Sequence, residues 1–233
     1  MPDKPINNSP QGGFAFFFSY VCLIVLAVSN MRIVVQILPE ADIYDLTLLG
    51  SGLILGWWAA FTFFRGQISV LIHEYKHAIL ATIIGNKWKK IKLKGMSGVF
   101  HYTYTRDTKE FNAFISLAPY FLPVFTLTAV VFFAIMQSHD AAFIVVGALH
   151  GAELYFNLRD ASPIQTDLTG IRGGYWVALG YIFAANIVIT SSVFIWLIGG
   201  ELGLELWLES IWNLGFYLIA VVRAALLPSE AGA

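Results

Sequence analysis

Charged side chains are scarce: Asp, Glu, Lys and Arg make up 12% of the 233 residues, against about a quarter in soluble domains. That shortage excludes a soluble monomer. No basic excess exists either, since 14 Lys and Arg face 15 Asp and Glu, so nucleic acid is excluded as a partner. A single cysteine, Cys22, rules out an intrachain disulfide and leaves the redox compartment open. Internal repeats, low-complexity tracts and long linkers are all missing, which points to one membrane domain over residues 1–233.

What the chain does have is apolar length. Hydrophobic residues make up 58% and aromatics 15%, and the mean hydropathy is +0.69. The expected fold class is therefore an all-α polytopic membrane protein. Seven transmembrane helices are expected, over Gly12 to Met31, Leu46 to Phe64, Ile68 to Gly85, Phe111 to Met136, Ala141 to Phe156, Gly173 to Ile198 and Leu206 to Val222. The first reads as a signal anchor, because its apolar part is long and no small-x-small cleavage site precedes Arg32. Placing the loop after the third span in the cytoplasm gathers 11 of the 14 basic residues there, leaving Lys4 and Arg65 outside and Lys76 within the membrane. The N-terminus is then outside and the C-terminus cytoplasmic. Between the third and fourth spans, KWKKIKLKG and GVFHYTYT alternate with period two around a Gly-Met-Ser-Gly turn, which predicts a small cytoplasmic-side β-hairpin. Its lysines also suit contact with anionic lipid.

The strongest chemical signal is His73-Glu74-Tyr75-Lys76-His77. Residues four apart share a helix face, so both imidazoles can hold one metal with Glu74 beside its bound water. Chance occurrence in this composition is about 0.7%, and ionisable groups within a span are costly enough to be functional by default. Lys76, off the histidine face, reads as a snorkelling or pore-lining residue. A catalytic zinc needs a third protein ligand. His150, Glu153, Asp160 and Asp167 are the candidates, and spacing does not choose among them. His150 and Glu153 share a helix face and suit an active-site lining. His101 and His139 read as surface histidines, and Trp57, Trp58, Trp207 and Trp212 as packing or interface anchors. Pro119 and Pro123 are expected to kink the fourth span.

HEYKHAILATIIGNKWKKIKLKG, a helix with HExxH followed by Gly and a basic strand, resembles the site-2 protease family of intramembrane zinc metalloproteases, of the short bacterial type without a PDZ domain. The resemblance runs from Ile68 to Trp176. It implies a metalloprotease core over residues 68–176 with accessory helices at 12–64 and 177–223, located in a bacterial inner membrane. It further implies a zinc ion bound by His73, His77 and Asp167, Glu74 as the catalytic carboxylate, and Asn157 as the counterpart of the family's active-site asparagine. A membrane-protein substrate and a regulatory membrane partner would follow. The alternatives are a membrane HExxH protease with Glu153 as third ligand, or an inactive metal-binding membrane protein.

Overall fold

The computed structural model describes residues 11–95, 97–136 and 139–226. It is mostly helical, with α1 Phe14–Ile37, α2 Ile43–Phe63, α3 Gln67–Ile83, α4 Asn112–Leu117, α5 Val124–Met136, α6 His139–Arg159, α7 Thr166–Thr169 and α8 Gly174–Leu226. One antiparallel hairpin, β1 Lys87–Lys94 and β2 Ser97–Thr103, separates α3 from α4, where period-two alternation predicted it.

Not all seven expected spans are found. Among the described residues four stretches are long and apolar enough to cross a membrane: Phe14–Glu40, Ile43–Phe63, Asp140–Arg159 and Gly174–Val221. A fifth arises if the segments Lys109–Tyr120 and Val124–Met136, bent by 79° at their junction, count as one. That bend falls at the Pro119 and Pro123 positions, where ring constraints and missing amide donors break the helical ladder. Helix α3 has 17 residues, about 25 Å, short of a hydrocarbon core of about 30 Å. Helix α8 is interrupted at Gly200, which has φ 51° and ψ −135°, a conformation glycine adopts at little cost. Contacts on either side show the chain doubling back there. Phe16 stacks on Tyr181 with centroids 5.0 Å apart, Asn30 donates to Ser191 and Ser192, and Ile37 touches Gly199, so residues 174–199 run parallel to α1. Past Gly200, Leu206 and Trp207 pack on the cluster of Ile33, Ile37 and Ile195, and Ser210 pairs with Ser29, which is the return direction.

Helices α2 and α6 also lie parallel, held by two glycine pairs spaced four apart, Gly52/Gly56 and Gly147/Gly151. The Leu49 carbonyl lies against Gly147, Gly52 against Ile144 and Ala148, Gly56 against Ala148, and Leu53 against Gly151. Nearer their C-terminal ends, Trp57 and Phe61 meet Tyr155 edge-on, and Phe64 meets Phe156. Such small-residue faces let backbones touch, which in lipid replaces the missing hydrophobic drive with dispersion contacts.

These pairings determine which residues share an end of the bundle. Gln11 exchanges main-chain hydrogen bonds with Gly170 (2.8 Å) and Arg172 (2.6 Å), and Gly13 lies beside Glu110. The N-terminal end of α1 therefore sits with the Arg159–Arg172 segment, the hairpin and the end of α2 that leads to Arg65. An outside N-terminus with Arg172 inside is incompatible with that contact. The expected alternation went astray because α3 was counted as a crossing. Apart from Arg32 and the buried Lys76, the described Lys and Arg residues belong to this one end. Glu40, Asp42, Asp45, Asp140, Glu201 and Glu205 belong to the other.

Candidate metal centre

Helix α3 displays His73 and His77 one turn apart, with ring centroids separated by 5.1 Å. The third group arrives from a different part of the chain. After α6 ends, the Asp-Ala-Ser-Pro stretch breaks the helix and the single turn α7 presents Asp167. Its Oδ2 lies 3.5 Å from His73 Nε2 and 3.4 Å from His77 Nε2, and one ligand atom from each of the three residues lies within 4.8 Å of the others. Tetrahedral ligands at about 2.0–2.1 Å from a metal are themselves separated by about 3.3 Å, so this group can hold one ion. Burial opposes the charge on Asp167, yet the hydrogen bonds and positive potential of His73 and His77 outweigh it and hold the carboxyl well below the usual carboxylate range.

The surroundings orient the imidazoles. His77 Nδ1 donates to the Ile115 carbonyl at 2.6 Å, which leaves Nε2, on the Asp167 side, as the ring nitrogen available to a metal. His73 Nδ1 is 3.8 Å from Asp160 Oδ2, and Asp160 is clamped by Arg159 at 2.7 and 2.8 Å. The Tyr120 ring stands perpendicular to His73 at 5.3 Å.

Glu74 is buried against the hairpin. A Cβ on Gly98 would lie 2.5 Å from Glu74 Oε1, so β2 approaches this closely only because residue 98 is glycine. Gly98, Phe100 and Tyr102 face the site along alternate positions of β2, and Phe100 lies parallel to the His77 ring at 6.4 Å. Burial first, then the neighbouring Tyr104 and Asp167, push the Tyr102 phenol up to about 12, which keeps it a hydroxyl donor at neutral pH. Between α3, α7 and β2 lies a cavity of about 420 Å³ that contains His73, Glu74, His77 and Asp167 on its walls.

His150, Glu153 and Asn157 are not on those walls. Glu153 accepts from the Phe125 and Thr126 amides at 3.1 and 2.9 Å and from the Thr126 hydroxyl at 2.6 Å, thereby capping the start of α5. Its carboxylate is thus spent on α5 and on Lys76 Nζ, 3.5 Å away, and not on the two histidines. Lys76 also donates to Asn157 at 2.8 Å and is 2% exposed, so it is an interior cation and not a snorkelling or pore-lining one. Asn157 continues to Asn186 (2.9 Å), and Asn186 donates to the Tyr120 carbonyl. His150 bridges Thr126 and Thr190. His101 is exposed, and Trp57, Trp58 and Trp212 face outward. Sequence reasoning missed Gln11, which lines the cavity, the Ile115 carbonyl, a main-chain group no side chain announces, and Gly98.

No family model, curated protein or solved structure matches the chain.

Proposed function

We propose that the protein is an intramembrane zinc metalloprotease that hydrolyses a peptide bond in or near a transmembrane segment of a membrane-protein substrate. One observation carries this reading. The HExxH helix meets an aspartate whose oxygen is nearly equidistant from both Nε2 atoms, and the motif's glutamate stands in the same cavity. Two histidines and one carboxylate suit zinc in a catalytic site, where a fourth position stays open. A zinc ion bound there supplies Lewis acidity, acidifying water and polarising the scissile carbonyl.

The chain's own groups do the rest. Glu74 takes a proton from the attacking water and delivers one to the leaving amine, the reason for a carboxylate that is near the metal group without joining it. His77, tied to Ile115, keeps its ring fixed while this happens. A helical substrate hides its carbonyls in its own hydrogen bonds, so it must unwind to reach the cavity. Among the described residues strand β2 pairs with β1 alone, which leaves its other edge available to an extended segment. Glu74 would be superfluous in a purely structural site, which argues against an inactive relative.

The test is cleavage of a synthetic single-span peptide with a glycine-rich centre by purified protein in detergent. Hydrolysis that chelator abolishes and zinc restores is expected. Failure to cut any such peptide in the zinc-loaded state would overturn the reading.

We read the basic end of the bundle as the cytoplasmic end by the positive-inside rule, so that the site, the hairpin and the start of α1 face the cytoplasm together. In a Cys22→Ser background, Gly13→Cys and Lys90→Cys should be labelled by an impermeant maleimide from the cytoplasmic side only, and Asp42→Cys from the opposite side only. Labelling of Gly13→Cys and Lys90→Cys from opposite faces would refute the shared end.

A further inference from the structure

Gln11, three residues before α1, is built into the candidate active site. Gln11 forms a parallel bridge with Ile171, its N–H donating to Gly170 O and its carbonyl accepting from Arg172 N–H. Those bonds attach it directly beyond α7, the turn that carries Asp167. Its side chain turns the other way, into the cavity shared with His73, Glu74, His77 and Asp167.

Ser116 Oγ, on a buried residue of α4, donates to Gln11 Oε1 at 2.7 Å. With the amide oxygen engaged by the hydroxyl, Nε2 keeps two N–H donors that have no protein partner among the described residues, on a residue that lines the cavity. The walls around them offer mostly acceptors or committed groups: Glu74 and Asp167 carry carboxylates, and Arg159 is held by Asp160. An extended peptide entering beside β2 brings backbone carbonyls, each an acceptor stripped of its helical partner.

We infer that Gln11 is a substrate-binding residue whose side-chain amide donates to a main-chain carbonyl of the unwound segment, making Gln11 part of one wall of the cleft. This rests on the hydrolase reading above and deepens it: the ligand recognised is a peptide backbone, not a particular side chain. Ser116 serves as the positioning residue that aims the amide.

The experiment measures binding apart from turnover. Fluorescently labelled single-span peptide is titrated by anisotropy against zinc-loaded Glu74→Gln protein, then against the same protein carrying Gln11→Met or Ser116→Ala. Gln11→Met preserves side-chain length and the main-chain bonds to Gly170 and Arg172 but removes the donor. A neutral hydrogen bond lost from the complex should weaken peptide binding about three- to tenfold with zinc content unchanged. Ser116→Ala should weaken it about two- to threefold, by freeing the amide to rotate. In the Glu74-intact enzyme, Gln11→Met should raise KM and leave kcat in place, the signature of uniform binding. Equal affinity of Gln11→Met and its parent would overturn the assignment, and so would zinc loss in Gln11→Met, which would show the residue acting through Asp167. Peptide that wild type binds but never cuts would count against the hydrolase reading alone. A Glu74→Gln parent that binds no peptide would overturn the substrate role itself.

Discussion

Protein carrying His73→Ala, His77→Ala or Asp167→Ala is expected to emerge from purification without stoichiometric zinc and without hydrolytic activity. Glu74→Gln is expected to keep the metal and lose about 10²–10⁴-fold in rate, the span that a positioned acid or base contributes. The division follows from geometry. Asp167 Oδ2 sits at 3.5 and 3.4 Å from the two imidazole nitrogens, the spacing of ligands around one ion, whereas Glu74 faces the hairpin at Gly98. Asp167→Asn should bind weakly, since the amide retains an oxygen but loses the charge that attracts the cation. Elemental analysis alongside peptide cleavage reads both quantities. Stoichiometric zinc in Asp167→Ala would remove the third ligand, and zinc loss in Glu74→Gln would reverse the roles.

Lys76→Met should be the most damaging substitution outside the metal group. The Lys76–Glu153 pair is almost wholly buried, at 2% and 1% side-chain exposure. Breaking such a pair from one side leaves an uncompensated charge and costs about 3–5 kcal/mol. Replacing both members, Lys76→Met with Glu153→Gln, should recover part of that loss, because the single amide oxygen still accepts at the start of α5 and no carboxylate is stranded. Unfolding in mixed detergent micelles measures the difference. A Lys76→Met protein as stable as wild type would show that Asn157 and the Thr126 bonds alone satisfy this interior, and the pair would lose its structural role.

How much of this was legible beforehand depends on the range of the interaction. HExxH spacing is local, so the shared face of His73 and His77 follows from helical periodicity. Alternation in KWKKIKLKG and GVFHYTYT likewise marks both strands, and Pro119 and Pro123 mark the broken helix. Asp167 was one of four ligand candidates until a family resemblance singled it out, because its approach depends on a one-turn helix held by residues about 160 positions earlier. Lys76 was misread since its partners come from α6, and helix-face arguments within α3 do not reveal them. The sidedness failed for a related reason: counting apolar stretches treats α3 as a crossing and so inverts everything before it. The glycines at 52, 56, 147 and 151 were visible in the sequence, but their spacing signals close approach without saying which helix approaches.

The parallel contact between α2 and α6 has a consequence for how the chain is made. Neighbouring helices joined by a short loop run antiparallel and can associate as soon as the second leaves the ribosome. A parallel pair separated by some ninety residues has no such option, and at about 5–20 residues per second the interval lasts several seconds. During that time the glycine face of α2 lies against lipid or against the insertion machinery, and the α3 turn bearing the two histidines follows it without Asp167. Assembly of the His73, His77 and Asp167 group is therefore a late event in biogenesis, after α6 has docked and the segment following α7 has met Gln11.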